Sequence, residues 1–199
     1  MKNNFEPLKE GWLHPQLTAR HMIDHASRKY FIFLISITTI ANSIVNATET
    51  DIYPTIPVGL LLILIVVLSP LAGFISIGFS ALMAWLFGKI LSGTATFNEM
   101  FRAMSVVSIP LFGALPFALA WMIFEPQSFF ATSDSYVEVT GISSIAGIAI
   151  MVFSIWSIVN TVAAIAEAHR FSIGKAFCTL LIQIILFIVV FVGLYFVII

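Results

Sequence analysis

The chain has 199 residues, 60% of them hydrophobic and only 10% charged, with a formal net charge of -1 and a mean hydropathy of +1.05. That is more apolar surface than a soluble domain of this size encloses in one core, so lipid is the expected solvent; without a basic face a nucleic-acid partner is excluded. In lipid every backbone donor and acceptor needs an internal partner, and the long unbroken apolar runs select helices over a barrel, giving an all-α membrane protein.

In chain order, residues 1–29 are polar and lack the apolar core of a cleavable signal, so the first apolar helix is expected to stay and act as the insertion signal. Pro15 suits a first helical turn, and Ala19, Met22, Ile23, Ala26 and Tyr30 recur at helical spacing. This predicts an amphipathic helix over 15–29, lying along the cytoplasmic face with Trp12 near the headgroups. Five apolar blocks follow, at 30–47, 56–91, 106–124, 142–166 and 176–199, together forming one membrane domain over 30–199. Four have the length of one crossing, about 20 residues. The second is longer and interrupted by Ser69-Pro70; it reads as one kinked helix, as a half-span plus a span, or as two spans.

Charge decides the number of crossings, because Lys and Arg accumulate on the cytoplasmic side. If block two crosses once, all nine basic residues fall on one side: Lys2, Lys9, Arg20, Arg28, Lys29, Lys89, Arg102, Arg170 and Lys175. Less the five carboxylates there, the inside carries +4, while Glu49, Asp51, Glu125, Asp134 and Glu138 make the outside -5. Two crossings in block two destroy that segregation. Five spans are therefore expected, the second long and Pro-kinked, with the N-terminus cytoplasmic and the C-terminus outside. Thr96-Phe97-Asn98-Glu99 is a capping box that starts a helix leading toward block three.

Several side chains are candidates for more than spanning. Ala72, Ser76, Ser80, Ala84 and Gly88 are small and spaced four apart, a seam on which another helix can pack closely, within the chain or from a partner. Asn42 and Asn46 in the first span, and Ser157, Asn160 and Glu167 in the fourth, are either interhelical glue or the lining of a polar pocket. Glu167 is expected to pair with Arg170 or with a partner's cation. His21 and His25 are one turn apart beside Asp24, but a third ligand and a general base are lacking, so neither a metal nor another cofactor is expected. Cys178 cannot form an intrachain disulfide, and Asn46-Ala47-Thr48 is a short sequon match next to the membrane. No nucleophile and base stand at workable offsets, so no enzyme activity is expected.

The approach Trp12-Leu13-His14-Pro15-Gln16-Leu17-Thr18-Ala19-Arg20, the stretch from Phe97-Asn98-Glu99 to Ser108-Ile109-Pro110, and Ile155-Trp156-Ser157 running to Glu167, Phe171-Ser172 and Lys175-Ala176 together resemble the bacterial branch of the Yip1 family. Pro15, Arg20, Ser108, Pro110, Trp156 and Lys175 are the positions that carry this likeness. The resemblance implies five spans, a cytosolic N-terminus and a bacterial cytoplasmic membrane, and supplies no catalytic residues. The expected role is a non-enzymatic accessory or scaffold protein. Its partners are membrane lipids and another membrane protein, such as an ABC-type exporter in envelope or toxin stress, or a second copy of itself. A small transporter or lipid-handling protein with a polar pocket between spans is the alternative.

Overall fold

The structure is a computed structural model that describes residues 6–132 and 139–198. Its regular elements are all helical: α1 (Pro7–Glu10), α2 (Pro15–Asp24), α3 (Arg28–Val45), α4 (Val58–Ile90), α5 (Phe97–Met104), α6 (Leu111–Phe124), α7 (Pro126–Phe130), α8 (Gly141–His169) and α9 (Ile173–Ile198). Lys2, Asp134 and Glu138, which enter the charge count, lie outside the described residues.

Helices α3, α4, α8 and α9 are long and apolar enough to cross a membrane. Along α8 and α9 the exposed side chains are overwhelmingly aliphatic or aromatic, among them Ile148, Val152, Ile155, Ile185, Ile188 and Phe191. Water does not tolerate such a surface, so lipid must cover it. The 33 residues of α4 form one helix that continues through Pro70 rather than a half-helix followed by a span. At ~1.5 Å per residue it is about 50 Å long, well beyond a ~30 Å hydrocarbon core.

Two expectations need correction. The third apolar block is helical only from Leu111, because residues 105–110 form turns and Pro110 occupies the cap position of α6. A proline steers the residue before it away from helical geometry, so α6 has 14 residues, or about 21 Å, and falls short of a full upright crossing. Likewise, the helix expected over 15–29 stops at Asp24 with His25 as its cap. A new helix starts at Arg28, where the Ser27 hydroxyl accepts the Tyr30 N–H at 3.2 Å.

The chain divides into two compact units. One comprises residues 6–26, Ile77–Val106 and 160–198; the other comprises Ser27–Ser76, 107–132 and 139–159. In the second unit α3 packs on α6, and Ile44, Val45, Leu61, Ile65, Leu111, Ala114, Ala118, Met122, Phe129 and Phe130 form a buried apolar core. Its loop at 46–57 is tied down by backbone bonds: the Glu49 N–H donates to Phe129 O at 3.3 Å and the Asp51 N–H to Phe130 O at 2.9 Å. Gly73 of α4 lies so close to Thr39 that a Cβ there would overlap the threonine side chain. Thr38 and Thr39 return their hydroxyls to their own helix, at Leu34 O and Ile35 O, 2.8 Å in each case, and so add no unsatisfied group to that contact.

In the first unit α2 packs on α5, burying Thr18, Ala19, Met22 and Ala26 together with Met100, Ala103 and Met104. Helix α5 starts at the expected capping box. The Glu99 N–H donates to the Thr96 hydroxyl at 3.2 Å, and the Thr96 N–H donates to the Glu99 carboxylate at 2.7 Å.

Candidate functional site: a polar network in the first unit

Polar side chains converge in the first unit on three places. The earliest is the N-terminal segment. Asn160 is fully buried on α8, and its amide donates to Gly11 O at 3.0 Å and to Val106 O at 3.2 Å. Gly11 caps α1, and Val106 stands in the turn before Pro110, where no regular helix continues. One amide thus satisfies two carbonyls at irregular backbone, the requirement a non-helical segment faces inside a membrane protein.

The second place is the ion pair between α2 and α8. Arg20 reaches Glu167 through Nε and Nη2, each 3.0 Å from Oε2, and Nη2 also donates to the Glu167 backbone oxygen at 2.7 Å. Glu167 therefore pairs with Arg20 rather than with Arg170, one of the two partners expected. Arg170 instead faces Glu99 at 3.6 Å and the Thr94 hydroxyl at 3.4 Å. From α5, Arg102 Nη1 donates to Ala26 O at 2.9 Å and Met22 O at 3.4 Å, placing a cation on the carbonyls that end α2. The apolar face of α2 is thus buried against protein, with Leu13 and Leu17 left exposed.

The third place was not foreseen. His169 ends α8 and is 1% exposed. The Ala95 N–H donates to its Nδ1 at 3.3 Å, which makes Nδ1 the bare nitrogen; Nε2 then carries the proton and donates to Ala84 O at 3.2 Å. A Cβ on either Gly88 or Gly93 would overlap the imidazole, so both glycines are the space in which the ring sits. The helix ends here share one design. At α4 the Gly93 N–H returns to Gly88 O at 2.8 Å past Ser92 at φ 66°, and at α8 the Phe171 N–H returns to Ala166 O at 2.8 Å past Arg170 at φ 56°. Both are Schellman closures with a non-glycine residue in the left-handed position. Trp85 Nε1 donates to Ala95 O at 3.1 Å, holding the same residue through its other peptide group. The Phe171 ring stacks on His169 at 5.1 Å, with Lys175 Nζ 5.4 Å above Phe171.

Glu99 joins the second and third places. Its carboxyl is held below the usual glutamate range, first by the Thr96 N–H and then by the Thr96 hydroxyl and Arg170, which outweigh the opposing effect of burial. On α2, His21 is pushed below the usual histidine value by burial and by His25, whose ring centroid is 5.5 Å away. Among the described residues no three His, Cys, Asp or Glu side chains are grouped to hold a metal.

The predicted site residues fall in different surroundings. Asn42 and Asn46 bond to each other along α3, the Asn46 amide donating to Asn42 O at 2.8 Å and to its Oδ1 at 3.0 Å. They belong with Ser157 to the second unit, while Asn160 and Glu167 belong to the first. Along α4 the small residues do not share one environment: Ala72, Ser76 and Ser80 are exposed, Ala84 and Gly88 buried. A four-residue step overshoots the helical repeat by about 40°, so five such residues wind nearly halfway round the helix. Of the positions resembling family motifs, Pro15 opens α2, Arg20 makes the ion pair, Ser108 is half-buried and Pro110 is buried at the start of α6. Trp156 and Lys175 are exposed. The buried histidine gave no signal beyond its place at the end of an apolar run.

Long apolar helices with polar groups turned inward define an integral membrane protein of multi-pass type. A sequence model of the Yip1 domain matches residues 10–194, and the chain belongs to that family. Comparisons with curated proteins and with solved structures return no match.

Proposed function

We propose that this Yip1-domain protein is a non-enzymatic accessory protein that binds another membrane protein through its spans. One observation carries the reading: on α4, Ala72, Ser76 and Ser80 are small yet exposed. Internal packing does not account for small residues on a lipid-facing surface, whereas a second helix approaching closely there gains dispersion contacts that lipid does not supply. A transporter reading draws on Asn42, Asn46, Ser157, Asn160 and Glu167. Asn42 and Asn46 bond to each other, Asn160 donates to backbone carbonyls, and Glu167 holds Arg20.

In this proposal five segments cross the bilayer, α6 extended by the turn before it being the third, with the N-terminus on the cation-bearing cytoplasmic side. Resemblance to the bacterial branch is the ground for placing it in a bacterial cytoplasmic membrane, with an exporter among the partners expected.

The test is affinity capture in mild detergent from the native membrane, comparing wild type with Ser80→Leu. A stoichiometric membrane protein retained by wild type and lost from the variant supports the proposal. Equal retention by both, or a chain recovered alone, contradicts it. The threading is tested separately on intact cells, where an impermeant amine reagent should leave Lys89 unlabelled.

A further inference from the structure

We propose that His169 is a proton-operated latch on the turn at 91–96. With the imidazole neutral, its one acceptor and its one donor are both satisfied, by the Ala95 N–H and by Ala84 O. Protonating Nδ1 places two donors face to face. At 1% exposure no solvent intervenes, and Gly88 and Gly93 contact the ring too closely for it to rotate away while the turn stays closed. The relief is for the turn to open, separating Ala95 from the ring.

The charged groups around the latch come from each element beside it. Lys89 on α4 and Glu99 on α5 bring opposite charges to bear on the ring. After α8, Arg170 engages Glu99, and Lys175 sits above Phe171, which stacks on the imidazole. The 91–96 turn adds no charged side chain; its Thr94 donates its hydroxyl to His169 O at 3.2 Å. Opening therefore reaches further than one peptide. Thr96 is the cap of α5, and α5 carries the buried face of α2, so release of the turn loosens the seat of the N-terminal segment. The latch lies within this chain and needs no partner bound to α4.

Hydrogen exchange on the full-length protein in nanodiscs tests it, comparing pH 8 with pH 5 after correction for intrinsic exchange. Wild type should lose at least ten-fold of the protection across 93–100 at the lower pH. His169→Gln should show no pH step, Glu99→Gln should keep one, and Gly93→Ala should be open at both pH values. Unchanged wild-type protection, or a step surviving in His169→Gln, overturns the latch. Should His169→Gln not fold, nitrogen NMR of the wild-type ring decides: an Nε2–H tautomer at pH 8 that gains a second proton by pH 5 supports it. Either an Nδ1–H tautomer or a ring that never titrates refutes it.

Discussion

The two units hold their helices together with different materials. Around α3 and α6 the core contacts are aliphatic and aromatic, one close approach is a glycine against a threonine whose hydroxyl is already satisfied, and polar ties such as Thr140 to Glu125 stand at the end of α6. Around α2, α5 and the end of α8 the same task falls to an amide, two arginines, a carboxylate and an imidazole, each aimed at backbone or at an opposite charge. The reason lies in the backbone. The first unit contains the cap of α1, two left-handed helix ends and the start of the turn before Pro110 at Ser105 and Val106, and irregular backbone away from water needs partners; in the second unit the 46–57 loop, with left-handed Glu49 and Asp51, finds them in backbone. The second unit should therefore respond mainly to changes of volume, and the first to changes of hydrogen-bonding capacity.

Substitutions can break that contrast. The largest effect is expected in the second unit, at Gly73. Gly73→Leu forces a side chain into Thr39 and should cost about 3 kcal/mol in detergent unfolding, whereas the adjacent exposed Ala72→Leu should stay within about 0.5 kcal/mol. Equal effects at the two positions would show that the close approach is not there. In the first unit, Asn160→Ala leaves Gly11 O and Val106 O without their amide and should cost about 2 kcal/mol, although little volume is removed. A comparable loss from Ala163→Gly, which changes volume without touching a polar group, would blur the distinction.

The capping box sharpens the comparison with pH. Because the folded-state value of Glu99 lies below the ordinary one, its contribution is complete above the ordinary glutamate range and is lost as pH falls through the depressed value. Melting followed from pH 6 to pH 3 should reveal a loss of about 1 kcal/mol that Glu99→Gln removes. A slope unchanged in the variant assigns it to another carboxylate. The smallest effect is a gain: Ser92→Gly relieves a left-handed residue and should stabilise by about 0.5 kcal/mol, read as a small upward shift in melting temperature.

The helices were legible because run length alone identifies a segment that lipid can accept. The capping box at Thr96 was legible for a similar reason, its partners being three residues apart. The fastenings were not. Arg20 and Glu167 are separated by 147 positions, and nothing in either neighbourhood names the other. An amphipathic pattern over α2 announces a buried face without saying whether lipid or protein buries it, and the packing of α2 on α5 was not legible in it. The small-residue seam shows a different limit. Spacing by fours looked like one stripe, yet it drifts round α4, and the close approach falls at Gly73, one residue from Ala72. Spacing left the amides open to two readings, glue or pocket lining, and did not name the contacts they make: the Asn46 amide donates to Asn42 and the Asn160 amide to backbone.

Side-chain chemistry on α8 seats the N-terminal segment on the protein. A double-mutant cycle on Arg20→Met and Glu167→Gln, read by unfolding in detergent, tests it most directly. The expected result is a coupling of about 1.5 kcal/mol, the double variant losing less than the two single losses combined. Strict additivity would mean that the two side chains do not meet, and that α2 rests on something other than α8.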